Sequence, residues 1–425
     1  MENFKKYIVL WLSQSLSQLG SSMTAFALVL WMYEQTHSAL SVSMMSFCNY
    51  VPYILISILV GSFIDSHSKK SIMLVSDCIA ALASLLTLGF FLTGNLSVWH
   101  IYSINMMMGV TTAFQQPAAS VAIAKIVPKN KLSNVSGMNS FSGHFVIVFS
   151  PMLAAVLFSV GGLPLILLFD LFSFAVAFCV LLFLIRIPEQ ITKEKFKSPF
   201  AEIMTGFHFL KTEKGILYIM LTMAVINFFS RLTYENILSP MILARSSENS
   251  VVLGIVNACM GVGGIAGGLL VSMKKEGRKK AEMIYISAAL SFLLGDITMA
   301  VGRNAFWWSF AALAASFPLP FIMAGQNLIL YEKIPENLQG RVFAVKNAIQ
   351  YSTIPLGILL GGYLSDYVFE PFMGSDSEVA AFLEKIVGAG AGSGMAVMFL
   401  CTGIGGFFMS ILSLFCKEIQ KLNRV

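Results

Sequence analysis

Residues 163–186 read LPLILLFDLFSFAVAFCVLLFLIR, a run with one acid, Asp170, and one base, Arg186, at its end. A helix needs about 20 mainly apolar residues to cross roughly 30 Å of hydrocarbon, and this run is long enough. Gly161 and Gly162 precede it and Pro188-Glu189-Gln190 follow, so it is bounded by turn and polar residues. Working outward, the same pattern recurs along the chain. The expected spans are 8–33, 40–63, 72–93, 98–124, 137–160, 163–186, 216–243, 251–273, 281–301, 304–330, 344–366 and 394–416. Lipid offers no partners to an open backbone, so such spans must be helices. The period-2 alternation of a membrane barrel is absent. The expectation is an all-α membrane protein with twelve transmembrane helices.

Composition points the same way. Of 425 residues, 56% are hydrophobic and 12% charged, against about 25% charged in soluble domains. That charge cannot cover a water-facing surface of this size, which excludes a soluble protein. The net charge of +6 does not gather on one exposed face, so no nucleic-acid partner is expected. Cys48, Cys78, Cys179, Cys259, Cys401 and Cys416 all fall in apolar stretches without metal-knuckle or disulfide spacing. They read as small buried hydrophobes, with no metal and no cofactor implied. The first run follows Lys5 and Lys6 but is too long and too polar for a signal peptide, and reads as a retained helix.

With the N-terminus inside and the loops alternating, inner segments hold 24 of the 28 Lys and Arg residues. The outer loops keep Arg245, Arg303 and Lys385, and Arg231 lies within a span. Cytoplasmic loops are enriched in Lys and Arg, so both termini are expected in the cytoplasm. The inner loop 187–214 is charged and amphipathic. It reads as a cytoplasmic linker between an N-terminal six-helix bundle, 1–186, and a C-terminal one, 215–425. The halves echo each other: Ile126-Val127-Pro128-Lys129-Asn130-Lys131-Leu132 against Lys333-Ile334-Pro335-Glu336-Asn337-Leu338, and mid-span Pro151 against Pro355. The outer loop 367–393 reads as irregular, exposed and tolerant of change.

A six-plus-six parallel repeat is the plan of the major facilitator type of transporter, and the loop motifs carry the resemblance further. Between spans two and three stands Gly61-Ser62-Phe63-Ile64-Asp65-Ser66-His67-Ser68-Lys69-Lys70. It keeps Gly61, Asp65, Lys69 and Lys70 of that family's conformational loop and departs from it at Ser66 and Ser68. Span five carries Ser150-Pro151-Met152-Leu153-Ala154-Ala155 with Gly137 upstream, similar to the family's antiporter motif with its short-stretch glycines replaced by small residues. Trp31-Met32-Tyr33-Glu34-Gln35-Thr36, Gln339-Gly340-Arg341-Val342-Phe343 and Val368-Phe369-Glu370-Pro371 are family-like as well. Over nearly its whole length the chain resembles the macrolide-efflux and siderophore-exporter branch of major facilitator drug exporters. The resemblance implies the major facilitator fold, a multi-pass place in the bacterial inner membrane, drug/proton antiport and no enzyme activity.

An ionisable group near the bilayer centre costs at least about 2.5–3.5 kcal/mol on insertion scales, so each one needs a reason. Arg231 and Glu235 stand four apart on one face of span seven, before Ser239-Pro240 interrupts the helix. They are the first candidates for proton coupling and substrate binding; a self-neutralising structural pair is the alternative. Asp170 and Asp296 are second candidates, each weighed against an interfacial structural role. Asp77 and His144 read as structural. Span one is unusually polar, which suggests a wall of a cavity at Gln14, Gln18 and Ser21, joined by Asn227 and Tyr234 of span seven. Helix packing through hydroxyls accounts for part of that polarity.

Gly261-Val262-Gly263-Gly264-Ile265-Ala266 fits a dinucleotide fingerprint but lies inside a span with no preceding strand. The pairs Gly263/Gly267 and Gly264/Gly268 instead permit close helix contact. No P-loop pattern is present, so ATP is not an expected partner, and no metalloprotease, nucleophile-elbow or zinc pattern is found. The expected partners are the bilayer, protons and a small amphipathic solute exported from the cytoplasm. Export of an endogenous siderophore or peptide is one alternative, and a non-transporting receptor or scaffold on the same fold is another.

Overall fold

A computed structural model describes residues 2–57, 60, 63–64, 67–127, 132–187, 207–273 and 279–422. Of the expected features, Gly61, Asp65, the loop at 128–131, most of the linker and the inner loop at 274–278 lie outside the described residues. The described residues are helical almost throughout, with no strand among them. Eight segments among them have the length and apolar character to cross a membrane, including Phe141–Leu184, Lys214–Arg245 and Lys280–Val301. Helix α1 (Glu2–Thr36) has the length but more polar residues, as does α4 (Val98–Ile126).

The chain forms two compact units, Met1–Thr36 with Met44–Phe196, and His37–Ser43 with Lys197–Val425. In the first, α1 packs along α5 (Leu132–Cys179), and α3 (Lys69–Leu92) packs against α4 and α5. Tyr7, Leu10, Met73, Ala118, Ala122 and Leu181 close the core at one end of this unit. Helix α5 joins two expected spans through a bend at Gly162, whose φ of 63 lies in the left-handed region. Only glycine enters that region without a Cβ clash, so the boundary read at 160–163 has a backbone cause. Helix α2 is Ala39–Ser57; its first residues belong to the second unit.

The second unit holds α6 (Lys214–Thr233), α7 (Leu238–Arg245), α8 (Ser250–Met273) and α9 (Lys280–Leu290). It continues with α10 (Ala305–Ser316), α11 (Leu319–Lys333) and α12 (Glu336–Leu364). Its last elements are α13 (Glu378–Val387), α14 (Ser393–Leu414) and α15 (Lys417–Lys421). Ile219, Met223, Tyr285, Phe292 and Ile322 form its main core. Among the described residues, π-helical turns interrupt the α pattern at Val180–Leu184, Ser291–Asp296 and Ser365–Phe369. Such turns concentrate at functional sites, and two of these carry an aspartate.

The glycine-rich run at 261–268 is continuous helix in α8, which removes the dinucleotide reading. The segment 367–393, expected to be an irregular outer loop, is less irregular than that. It contains a helical turn at Glu370–Met373 and the amphipathic α13, and its glycine stretch is folded, with positive φ at Gly388, Gly390 and Gly392.

Candidate functional site

Span seven is a broken helix. Helix α6 ends at Thr233, α7 starts at Leu238, and residues 234–237 form a turn between them. Pro240 explains the position, because it has no N–H for the Asn236 carbonyl and its ring crowds that oxygen. The break thus falls ahead of the Ser239-Pro240 interruption read from the sequence. Arg231, in the last turn of α6, and Glu235, within the break, form an ion pair, Arg231 Nη1 donating to Glu235 Oε2, with side chains 34% and 24% exposed. The pair cancels its own charge but is not sealed in protein.

Helix α12 seats the break through two glycines. A methyl at Gly357 would lie 2.9 Å from Arg231 Cβ, and one at Gly361 would overlap the Leu232 carbonyl. Asn236, fully buried, donates to the Ile358 carbonyl and to Ser43 Oγ, each at 2.9 Å. At the end of α12, Asp366 accepts from Ser38 Oγ at 2.6 Å and from the backbone N–H groups of Ala39 and Leu40 at 3.1 and 3.0 Å. It is the N-terminal cap of α2. The sequence reading missed Asn236 and Asp366 because their partners lie more than a hundred residues away.

Behind the break, Tyr234 sets its hydroxyl against the Asp296 carboxyl without closing a hydrogen bond, and its ring meets Phe399 edge-on at 5.3 Å. Asp296 is 1% exposed and accepts from Thr402 Oγ1 at 2.9 Å. Asp170, in the first unit, has an equivalent setting. It is 1% exposed and accepts from Ser84 at 2.7 Å, Thr24 at 3.0 Å and Ser21 at 3.3 Å. In each unit, then, a buried aspartate accepts from hydroxyls of other expected spans: Asp170 of span six from spans one and three, and Asp296 of span nine from span twelve. No cation pairs with either carboxyl among the described residues.

Asp77 is 2% exposed and accepts from Gln115 Nε2 at 2.6 Å, while its second oxygen and the Gln14 amide nitrogen nearby are buried without a partner. Of the expected cavity residues, Gln14, Ser21 and Asn227 are half-buried and Gln18 is exposed. Part of span one's polarity serves packing on α5, through the hydroxyl contact of Ser15 with Ser142; beside it Tyr7 Oη donates to Asn139 Oδ1 at 3.0 Å and Trp11 Nε1 to the Met138 carbonyl at 3.2 Å. In the conformational loop, Lys69 is buried, and Lys70 Nζ donates to the carbonyls of Leu182 and Ile185 at 2.9 and 2.8 Å. A cation suits that helix C-terminus. In the antiporter-like motif, Gly137 and Pro151 lie within α5, and Ser150, Ala154 and Ala155 are buried.

With this geometry in hand, comparison with known proteins is informative. The family model described as Major Facilitator Superfamily matches residues 10–368. Macrolide efflux protein A of Streptococcus pyogenes is 26% identical over 85% of this chain and 90% of its own. The staphyloferrin A transporter of Staphylococcus aureus is 23% identical over 70% of this chain and 72% of its own. The crystal structure of a bacterial homologue of the iron transporter ferroportin, in an inward-facing state, superposes with a TM-score of 0.69. It covers 96% of this chain and 99% of its own at 15% identity, a likeness of fold.

Proposed function

The chain belongs to the Major Facilitator Superfamily, and on that premise we propose that it exports macrolide-like amphipathic compounds from the bacterial cytoplasm in exchange for protons. Membership makes it a multi-pass transporter of small molecules in the cell membrane, not an enzyme. The observation that carries the coupling is the Arg231–Glu235 pair on the broken span seven, partly open to its surroundings. Discontinuous membrane helices are where transporters of several folds place substrate and ion sites.

Glu235 as a carboxylate holds Arg231. A proton on Glu235 removes that hold, and an incoming solute cation competes with the proton for the same oxygens. One site therefore binds a proton or a solute, which is the condition for exchange. In this reading twelve spans form two six-helix bundles with both termini and the linker in the cytoplasm, and a midplane cavity opens to each side in turn.

The test is proton-driven uptake of a labelled macrolide into inverted vesicles. Glu235→Gln is expected to abolish driven uptake while leaving the protein folded and inserted; undiminished uptake removes Glu235 from the mechanism. The likeness to the staphyloferrin A transporter favours a second reading, export of an endogenous siderophore. Drug susceptibility after gene deletion, set beside secreted siderophore, separates the two.

A further inference from the structure

Helix α13 lies where four expected span ends meet. It begins a few residues after the π-helical turn that closes span eleven, and residues 388–392 lead from it into α14. Arg245, the last residue of α7, donates from Nη2 to the Val387 carbonyl. Arg303, one residue ahead of the Asn304 cap of α10, donates from Nη2 to the Lys385 carbonyl at 3.1 Å. The open carbonyls at the end of α13 thus take two guanidinium groups, as a helix C-terminus favours. These bonds hold the helix at the ends of spans seven and ten. With 10 residues it is about 15 Å long, half of what crossing the hydrocarbon takes.

The sequence of α13 has three faces. At 100° per residue, Ala380, Leu383 and Val387 fall within about 60° of one another, and so do Val379, Phe382 and Ile386. Glu378, Ala381 and Lys385 make the third face. The first turns inward: Ala380 and Val387 are buried where the helix packs on α14 and on the turn Glu370–Met373. The third is exposed. The second is apolar, yet Val379 and Phe382 are 59% and 61% exposed. A helix this short is marginal in water by itself, and an apolar strip left bare to water adds to the cost.

The neighbours of the strip identify what covers it. Phe306 and Trp307, in the first turn of α10, are 70% and 48% exposed, and Trp307 meets Phe310 edge-on at 6.3 Å. Exposed aromatic rings at the mouth of a span mark headgroup level. Arg303 ties α13 to that level, so the strip continues a surface that already faces lipid. An apolar face at headgroup depth beside a polar one is the arrangement of an interfacial helix.

We infer that α13 lies on the outer surface of the membrane, with Val379, Phe382 and Ile386 set into the lipid and Ala381 and Lys385 in water. The outer side follows from the expected orientation with both termini in the cytoplasm. Through Arg245 the lipid surface moors α7, the second half of the broken span seven. Neither the solute carried nor the coupling carboxylate enters this inference.

Single cysteines placed on the full-length chain test it, with a membrane-impermeant maleimide as the probe and the parent protein, with its six native cysteines, as the blank. Labelling is followed in intact cells, in inverted vesicles, and on purified protein at one copy per vesicle of phosphatidylglycerol and phosphatidylethanolamine. Ala381→Cys and Lys385→Cys are expected to label from outside the cell. Val379→Cys and Phe382→Cys are expected to label at least about tenfold more slowly, because the thiolate that reacts does not form in apolar surroundings. That difference should persist in the purified vesicles. Labelling of Phe382→Cys and Val379→Cys as fast as Ala381→Cys in cells overturns the inference. Protection seen in cells but lost in the purified vesicles assigns the strip to another protein and overturns the lipid as partner. Labelling of Ala381→Cys in inverted vesicles alone overturns the outer placement.

Discussion

Gly267→Ala tests the packing of the second unit with one methyl group. On α8, a methyl at Gly267 would overlap the Phe317 carbonyl oxygen and reach Pro320 Cδ at 3.3 Å; at Gly263 it would meet the Leu313 carbonyl at 2.5 Å. These obstacles are largely backbone, so no rotamer change relieves them and the helices must separate. Overpacking of this kind costs about 1–3 kcal/mol. One residue further on, Gly268 and Gly264 have nothing within 4 Å of the same methyl. There alanine gains about 0.5–1 kcal/mol from reduced backbone freedom in the alternative states. Both substitutions share that gain, so Gly267→Ala should be less stable than Gly268→Ala by the overpacking alone, about 1–3 kcal/mol. Thermal unfolding in detergent, followed by the fraction that stays monodisperse on size exclusion, measures it. Equal midpoints for the two variants would refute the close approach of α8 to the junction of α10 and α11.

Three other outcomes follow from contacts described above. Thr402→Val removes the hydroxyl on Asp296 while keeping the shape, and should cost about 1–3 kcal/mol of stability in the same melt. Thr402→Ser should restore most of it. Asp366→Ala uncaps α2 and should cost about 0.5–2 kcal/mol, with Asp366→Asn intermediate. Burial raises the Glu370 carboxyl above the ordinary carboxylate range. The folded protein thus holds that proton more tightly than the unfolded chain. The resulting stability is fully present below the ordinary glutamate value of about 4.3 and is lost as pH rises through the folded one. Melts of Glu370→Gln across acid to neutral pH should show a flatter profile; an unchanged slope would remove Glu370 as its source.

Helical architecture was legible because apolar run length is a local property, and the bend at Gly162 was legible because paired glycines mark a turn. The Arg231–Glu235 pair was equally local, set by a spacing of four. Long-range contacts were hidden. Asp170 gave no sign that Ser84 would meet it, and Asp366 at the end of a span gave none of its partners Ala39 and Leu40. Nor could spacing decide which of two glycine pairs faces a neighbour, since both repeat at four. Helix α13 was within reach: Glu378-Val379-Ala380-Ala381-Phe382-Leu383 has a helical period, but the glycines that follow it dominated the reading.

The cap on α2 bears on how this chain could be cut. Its first turn takes its acceptors from Asp366, and Ser43 takes a donor from Asn236. A fragment that stops at the central loop would carry that helix with two backbone amides stripped of their acceptors. Such a fragment should fray there and regain order only when the remainder is co-expressed, so split-gene complementation would report on a single carboxylate.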